Sequence, residues 1–289
     1  MLPLDGHVHS EWSWDTTDGS MQDACARAVD LGLASVAFTE HADPPGGWAV
    51  LASDLEDYPH LKRFVAHDRP PGDPVGGTLK PPQLEVGGYV AAIERCRDAF
   101  PELRILTGVE LGEPHRNQEG VAELLAAGQF EWVLGSLHSL PDGDGFSEMP
   151  NLFRQCAPAD VACAYLSELV TLIDGSDAFA VLGHIDYVLR YWPASAGAFK
   201  ADAFEEEFRH VLRVLAGSGR MLEVNTRGEF PPQIIRWWRE EGGRAVVFGS
   251  DAHDPPGVAR AFGAAMEMVE AAGFYPPTRS YDPWTTSRS

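Results

Sequence analysis

Short apolar runs alternate with amphipathic helical stretches along nearly the whole chain, and this alternation limits the fold more than any other feature. It is the pattern of strand and helix units arranged around a parallel sheet. Each apolar run ends in polar residues. About seven units within 289 residues fit the size of one α/β barrel, which is the predicted fold. The predicted strands are Leu2–Ser10, Ser35–His41, Arg104–Leu111, Trp132–Ser139, Ala180–Tyr187, Arg220–Thr226 and Arg244–His253.

Two long segments interrupt the alternation, at about 43–88 and 141–158, and the first contains the Pro/Gly-rich runs PPGG, RPPGDPVGG and KPPQ. Both follow predicted strands, so in a barrel they would rise over the face where active sites lie. Long loops in compact domains are usually functional or mobile, which makes these two segments candidate lids. Residues 1–275 are predicted to form a single barrel domain with these insertions, and 276–289 a flexible tail.

Histidines and carboxylates recur at the ends of successive predicted strands. His7 and His9 are two residues apart, so both side chains point to the same face of a strand and can reach one cation. Asp251 and His253 repeat this spacing in the last strand. Six of the ten histidines lie at strand ends, which ordinary core packing would rarely produce. The predicted metal ligands are His7, His9, Asp15, His41, Glu110, His138, His184, Asp251 and His253.

The chemistry of this ligand set narrows the choice of metal. Mixed imidazole and carboxylate ligands suit zinc, iron(II) or manganese, whereas a purely oxygen-rich set would favour magnesium or calcium. A single zinc ion usually takes about four ligands. Nine ligands therefore predict two to three divalent ions.

Composition excludes several other kinds of protein. A formal charge of −21 opposes binding to long nucleic acid, which needs a basic surface, but metal ions can still create a local site for a small phosphorylated substrate. The four cysteines show no CxxC spacing, so a zinc-thiolate site is not expected. No basic leader or long apolar segment is present, which predicts a cytoplasmic protein without a membrane partner.

The motifs DGHVH, TEH, GVE, SLH, GHID, EVNT and GSDAH, in this order from Asp5 to His253, resemble those of the PHP (polymerase and histidinol phosphatase) superfamily, and most closely its histidinol-phosphatase branch. The resemblance implies a distorted (β/α)7 TIM-like barrel. It also implies a trinuclear metal centre at the carboxyl ends of the strands.

The same resemblance implies how the ligands divide among three sites. His7, His9, Glu110 and Asp251 would hold one ion. Glu110 would bridge to a second ion held with His138 and His184. Asp15, His41 and His253 would hold the third, with Asp15 at a place where some relatives have histidine. Glu110, Asp251 and His253 are also the predicted catalytic residues.

Such a centre would supply a hydroxide near neutral pH, bind phosphoryl oxygens and offset the charge that develops in transfer. The leaving alkoxide needs a proton. A metal-bound water, His115 and Asp251 are the alternatives for its donor.

Substrate contacts are expected from arginines, because none of the three lysines falls at a predicted strand end. An arginine can hold phosphate with two donors. Arg116, Arg190 and Arg227 each follow a predicted strand, and His115 and Asn225 are the other predicted contacts. Relatives typically carry a longer Arg/Lys-containing stretch after EVNT. Either Arg227 replaces the contact that this stretch provides, or the pocket suits another phosphate ester.

The predicted function is metal-dependent hydrolysis of a small phosphate monoester, with L-histidinol phosphate, an intermediate of histidine biosynthesis, as the favoured substrate. One alternative is a PHP-type phosphodiesterase or nuclease acting on nucleotides or DNA ends. A second alternative is C–N hydrolysis of the amidohydrolase type, which also uses HxH on a first barrel strand. That class commonly has a bridging carbamylated lysine, for which these strand ends offer no candidate.

Overall fold

The computed structural model describes residues 2–66, 68 and 73–287. The strands are β1 (Asp5–Val8), β2 (Ser35–Ala42), β3 (Trp48–Leu51), β4 (Val65–Ala66), β5 (Val75–Leu79), β6 (Arg104–Gly112), β7 (Trp132–Ser136), β8 (Ser139–Asp142), β9 (Gly145–Glu148), β10 (Val181–Leu182), β11 (Met221–Asn225), β12 (Ala245–Gly249) and β13 (Trp284–Thr285). The α-helices are α1 (Met21–Asp30), α2 (Ala52–Asp57), α3 (Val86–Ala99), α4 (Gln118–Ala127), α5 (Met149–Gln155), α6 (Pro158–Gly175), α7 (Glu205–Ser218), α8 (Pro232–Glu240) and α9 (Phe262–Ala271).

Seven parallel strands close into a barrel in the order β1-β2-β6-β7-β10-β11-β12, and β12 pairs with β1. The predicted seven-stranded α/β barrel is therefore confirmed. Side chains on one face of these strands, such as Val36 and Phe38 in β2, pack in the core between the barrel and its helices, while Ala37 on the other face packs with Leu4 and Leu106. The register pairs His41 of β2 with Glu110 of β6, so polar side chains near the carboxyl ends of neighbouring strands meet.

Five of the seven barrel strands, β1, β7, β10, β11 and β12, are shorter than predicted, and β10 and β7 show why. β10 contains only Val181 and Leu182, because the chain leaves the sheet at His184 and forms a short 3-10 helix at Tyr187–Tyr191. The run Trp132–Ser139, predicted as one strand, divides after Ser136, and Ser139 begins a strand of a different sheet. In both cases the apolar pattern continues past the last barrel hydrogen bond, so the pattern alone overestimates strand length.

The prediction that the two insertions are irregular loops was wrong. They combine into one five-stranded sheet in the order β4-β5-β3-β9-β8, which we call the insert sheet. β3 from the first insertion pairs with β9 from the second, and its residues Trp48 and Val50 anchor a small separate apolar core. Backbone pairing between distant segments satisfies the hydrogen bonds that Pro/Gly-rich runs could not satisfy locally.

The predicted flexible tail at 276–289 contains a strand, β13, in the part that the structure describes. β13 pairs antiparallel with β12, through Ala245 with Thr285 and Val246 with Trp284. Trp284 is 4% exposed, and its ring packs edge to face on Phe248 at 5.2 Å. One large aromatic residue thus anchors a segment whose other residues show no apolar pattern.

The helices cover the outside of the barrel. α1 begins at the N-cap Ser20, whose side chain accepts a hydrogen bond from the backbone N–H of Asp23. α8 buries Trp237 and Trp238 against the barrel core. Within the described ranges, no helix combines the length and the apolar character needed to cross a bilayer.

Candidate metal centre

The structure brings the nine predicted ligand side chains together at the carboxyl ends of the barrel strands. We call these nine the ligand cluster: His7, His9, Asp15, His41, Glu110, His138, His184, Asp251 and His253. Each one lies within 4.0 Å of at least one oppositely charged or imidazole partner in the same set. Parallel strands end on the same side of a barrel, so residues far apart in sequence converge here.

Glu110 lies at the centre of the ligand cluster and is fully buried. Its Oε1 atom faces His184 Nε2 at 2.8 Å and His138 Nε2 at 3.3 Å. Its Oε2 atom faces His41 Nδ1 at 2.9 Å and His7 Nε2 at 3.3 Å. The two oxygens of one carboxylate therefore point to two different sets of imidazoles, which is the arrangement that a bridging ligand requires.

His7, His9 and Asp251 form one side of the ligand cluster. The Nε2 atoms of His7 and His9 are 3.0 Å apart, and Asp251 Oδ1 lies 3.9 and 3.6 Å from them, respectively. Asp251 has a φ of 51°, a left-handed conformation that a non-glycine residue rarely adopts. Backbone strain of this kind persists where the surrounding structure imposes it, often at functional sites.

Asp15, His41 and His253 form the outer side. Asp15 Oδ2 lies 3.4 Å from His41 Nε2 and 2.9 Å from His253 Nε2. The ring of His9 lies 4.2 Å from that of His41 and 4.3 Å from that of His253, so this group adjoins the previous one.

The donor atoms have the spacing that small divalent cations need. Four overlapping groups have ligand atoms all within 4.8 Å of one another: His9, His41 and His253; His7, Glu110 and His184; His7, His9 and Asp251; and His41, Glu110 and His138. Several buried polar atoms here lack a hydrogen bond of suitable geometry among the described residues: Asp15 Oδ1 and, although they lie 2.9 Å apart, Glu110 Oε2 and His41 Nδ1. Buried polar atoms are seldom left unpaired, so the residues fit the divalent cations that the sequence predicts.

The charges of the ligand cluster also suit cations. Burial opposes ionisation of Glu110, but His7, His41 and His138 outweigh it and hold the pKa of this carboxyl well below its usual value. Burial and the neighbouring imidazoles of His41 and His253 lower the pKa of His9 well below its usual value. Although burial opposes it, the neighbouring carboxylates raise the pKa of His7, His41 and His138, so a divalent metal binding there would displace protons from these three imidazoles.

Sequence reasoning missed the residues that orient these imidazoles. Glu223 Oε1 lies 2.7 Å from His7 Nδ1, Asp43 Oδ1 lies 2.9 Å from His138 Nδ1, and Ser13 Oγ lies 2.9 Å from His9 Nδ1. A metal-binding histidine usually donates its other ring N–H to such a partner, which fixes the ring and its tautomer. In all three cases the Nε2 atom then faces the ligand cluster.

Two of the predicted substrate arginines lie on the ligand cluster. Arg190 Nη2 is 2.6 Å from Asp251 Oδ2 and donates to Asn225 Oδ1 at 3.0 Å. Arg227 Nη1 is 3.0 Å from Asp251 Oδ1. The Arg190 side chain is 14% exposed and that of Arg227 is 40% exposed, so Arg227 lies nearer to solvent. Asn225 is buried and joins Arg190 to the backbone of Arg227.

His115 and Arg116 have partners away from the ligand cluster. Glu168 of α6 accepts from Arg116 Nη2 at 2.7 Å and lies 3.0 Å from His115 Nε2. Arg116 also donates to Ser139 Oγ and lies over the Phe146 ring. These contacts hold the 3-10 turn Pro114–Arg116 against α6, which supports a structural role for both residues.

The structure also bears on which group donates a proton to the leaving alkoxide. His115 contacts Glu168 away from the ligand cluster, which does not favour it as the donor. Burial opposes ionisation of Asp251, but Arg190, Arg227 and His7 outweigh it and hold its pKa well below its usual value. An ionised Asp251 fits the predicted role of metal ligand, and it has no proton to donate in the absence of substrate.

Fold and site together define a class of protein: an α/β-barrel metalloenzyme whose centre lies at the carboxyl ends of the strands. The PHP domain family model matches residues 5–227, and the chain belongs to the PHP domain family.

A curated relative and a crystal structure, both from Lactococcus lactis, resemble this chain over nearly its full length. A curated relative from strain IL1403, named Histidinol-phosphatase, is 24% identical over 283 residues, which cover 95% of this chain and 93% of the relative. The crystal structure of a histidinol phosphate phosphatase, complexed with zinc, L-histidinol and phosphate, matches with a TM-score of 0.75 at 22% identity. That match covers 94% of each chain, and it shows that the fold is shared.

Proposed function

We propose that this protein hydrolyses L-histidinol phosphate to L-histidinol and phosphate, a step of histidine biosynthesis. The protein is an enzyme, a metal-dependent phosphatase of the PHP family. The observation that carries the proposal is the ligand cluster with Arg190 and Arg227 directly beside it, since cations and guanidinium groups together are a site for phosphate. The relative named Histidinol-phosphatase, which matches 95% of the chain, supports the choice of substrate.

The nine side chains would hold two to three divalent ions of zinc, manganese or iron. Bound there, the ions would activate a water molecule for in-line attack on phosphorus and offset the developing charge. Glu110 fits the bridging position because its two oxygens face different imidazoles. How the other eight ligands divide among the ions is proposed as the family resemblance implies.

The chain's own residues would then bind and orient the ester. Arg190, held by Asp251 and Asn225, has little rotational freedom and would lose little entropy on gripping phosphoryl oxygens. Arg227 is more exposed and would close over the phosphate from the solvent side. A fixed guanidinium stabilises charge without reorganising at the moment of reaction.

No specific observation favours the other reactions. The three lysines, Lys62, Lys80 and Lys200, all lie outside the barrel strands, and Glu110 takes the bridging position, so an amidohydrolase-type bridging lysine has no place. A charge of −21 opposes a track for long nucleic acid.

The proposal also covers the organisation and location of the protein. Residues 1–275 would act as one domain, because the insert sheet continues directly from the barrel at Ser139, next to His138. A substrate of this kind is a small soluble metabolite, which supports a cytoplasmic location.

A panel of phosphate esters tests the substrate. Purified protein loaded with zinc or manganese should release phosphate from L-histidinol phosphate with a kcat/KM at least about 10-fold above that for p-nitrophenyl phosphate or short nucleotides, since specific contacts of about 1.4 kcal/mol suffice. Glu110→Ala serves as the inactive control. A nucleotide that reacts faster than L-histidinol phosphate would overturn the substrate, and equal rates for wild type and Glu110→Ala would overturn the centre.

A further inference from the structure

The last residue of the insert-sheet strand β9, Glu148, lies at the mouth of the barrel beside the ligand cluster. β8 and β9 pair antiparallel, and the register places Glu148 opposite Ser139. Ser139 directly follows His138, one of the nine ligands. A carboxylate from the insertion is thereby placed next to the metal centre without belonging to it.

Glu148 has an incomplete set of partners. Its Oε1 atom accepts a hydrogen bond from the indole N–H of Trp48, and no lysine or arginine of the described ranges forms an ion pair with it. Burial raises the pKa of Glu148 to about 7, and Asp54 and Asp43 add to the rise, while the Trp48 indole and His138 oppose it. A partly buried carboxylate without a cation is costly, so a bound positive group would stabilise it.

Aromatic rings surround the space between Glu148 and the ligand cluster. Trp14 packs edge to face on Trp48 at 6.2 Å, and its ring lies 6.1 Å from that of His41. On the other side, the Tyr187 ring lies 5.4 Å from that of His138, and Tyr191 packs on Tyr187 at 5.3 Å. Faces of tryptophan and tyrosine attract organic cations.

One side of the barrel mouth carries the positive charge of Arg190, and the other side carries the negative charge of Glu148. Arg190 lies 5.1 Å from the centre of the Tyr187 ring and binds Asp251, so the Tyr187 side of the mouth carries positive charge. Burial and the Glu148 carboxylate raise the pKa of Tyr191, while Arg190 and Arg227 oppose the rise, which places Tyr191 between the two charges. Tyr191 is 39% exposed, so the space beside it is open to a ligand.

We propose that Glu148 is a specificity residue that binds the positively charged organic end of a phosphate monoester whose phosphate lies at Arg190, Arg227 and the metal ions. The assignment rests on the proposed function and sharpens it to a substrate class: phosphate monoesters that carry an ammonium group a short distance from the ester. The aromatic side chains of Trp14, Trp48 and Tyr191 would enclose the rest of the organic group.

The test compares Glu148→Gln with a matched loss of charge at Glu56→Gln. A glutamine at 148 still offers an oxygen to the Trp48 indole, so the fold should be retained. Glu56 is an exposed carboxylate of α2 in the same insertion. Binding of L-histidinol to the metal-loaded proteins is measured by calorimetry, and kcat and KM are measured for L-histidinol phosphate and for p-nitrophenyl phosphate, which carries no cation.

For Glu148→Gln, the Kd of L-histidinol and the KM for L-histidinol phosphate should each rise about 10-fold or more, the loss of one charge-assisted contact, while kcat/KM for p-nitrophenyl phosphate changes less than about 3-fold. Glu56→Gln should match wild type for both esters. Because the free Glu148 carboxyl has a pKa of about 7, the advantage of wild type over Glu148→Gln in binding L-histidinol should grow as the pH rises through that value. Asp43, Asp54, His138, Tyr187 and Tyr191 are the titratable groups that face Glu148, and both proteins share them.

Wild-type affinity for L-histidinol in Glu148→Gln would overturn the assignment, as would an equal loss for both esters. If wild type releases no phosphate from L-histidinol phosphate but binds L-histidinol through Glu148, the proposed reaction fails while the cation site stands.

Discussion

Glu110 shows why the centre depends on single atoms. Each of its two oxygens faces a different set of imidazoles, with the shortest separations at 2.8 and 2.9 Å. A shorter side chain at this position could reach one set only. The carboxylate is completely buried, so in the absence of cations its charge is balanced by histidines alone.

Among the residues that orient the imidazoles, Glu223 is the one whose replacement should lower metal affinity most. It lies 2.7 Å from His7 Nδ1 and accepts from the backbone N–H of His184 at 2.6 Å. In Glu223→Gln an amide group would replace one acceptor oxygen, and the ring of His7 would lose its fixed orientation. We expect metal affinity to fall about 10- to 100-fold, measured by competition with a chelator. The exposed Glu229→Gln is the control, and an unchanged metal affinity in Glu223→Gln would contradict this role.

At the residue scale, the convergence of the nine predicted ligand side chains could be predicted because strand ends and the i, i+2 spacing place side chains on a known face. The partners Glu223 and Asp43 could not be predicted in the same way. Their role depends on which ring nitrogen of His7 or His138 points away from the centre, and this is decided by tertiary packing. A signal was nevertheless present for Glu223, which belongs to the motif EVNT that had been interpreted only through Asn225.

Among the secondary-structure elements, β13 is the one for which we predict the clearest change in stability. Trp284→Ala removes a buried ring from the contact with Phe248 and leaves a cavity. The free energy of unfolding should fall by about 3 kcal/mol in a urea titration, while activity well below the unfolding temperature persists. Ser287→Ala, at an exposed position of the same segment, should unfold like wild type. A change below about 0.5 kcal/mol in Trp284→Ala would show that the segment adds little.

The strands of the insert sheet could not be predicted from the sequence. The barrel strands follow from local apolar runs, whereas β3 and β9 are separated by almost one hundred residues and pair with each other through Ala49 and Ser147. Neither strand has a periodic pattern long enough to identify it alone. Only the folded chain shows that both insertions form one wall beside the metal centre, with Glu148 at its edge.

At the scale of the whole molecule, the protein is acidic, but positively charged groups lie together at one end of the barrel. The chain carries a formal charge of −21, yet Arg190, Arg227 and the predicted cations converge on one end of the barrel. Such a surface repels long polyanions, while the local field still attracts a small phosphate ester. The barrel supplies the fixed geometry, and the insert sheet would supply the wall that we propose distinguishes one ester from another.

The ligand cluster is proposed to bind divalent ions that are required for phosphate ester hydrolysis. The most direct measurement titrates zinc or manganese into chelator-treated protein and follows phosphate release from L-histidinol phosphate against metal bound per chain. Activity should rise from near zero and level off at about two to three ions per chain, and Glu110→Ala should stay inactive while the exposed Glu102→Ala behaves like wild type. Hydrolysis by the metal-free protein at the rate of the loaded protein, or equal rates for wild type and Glu110→Ala, would contradict the claim.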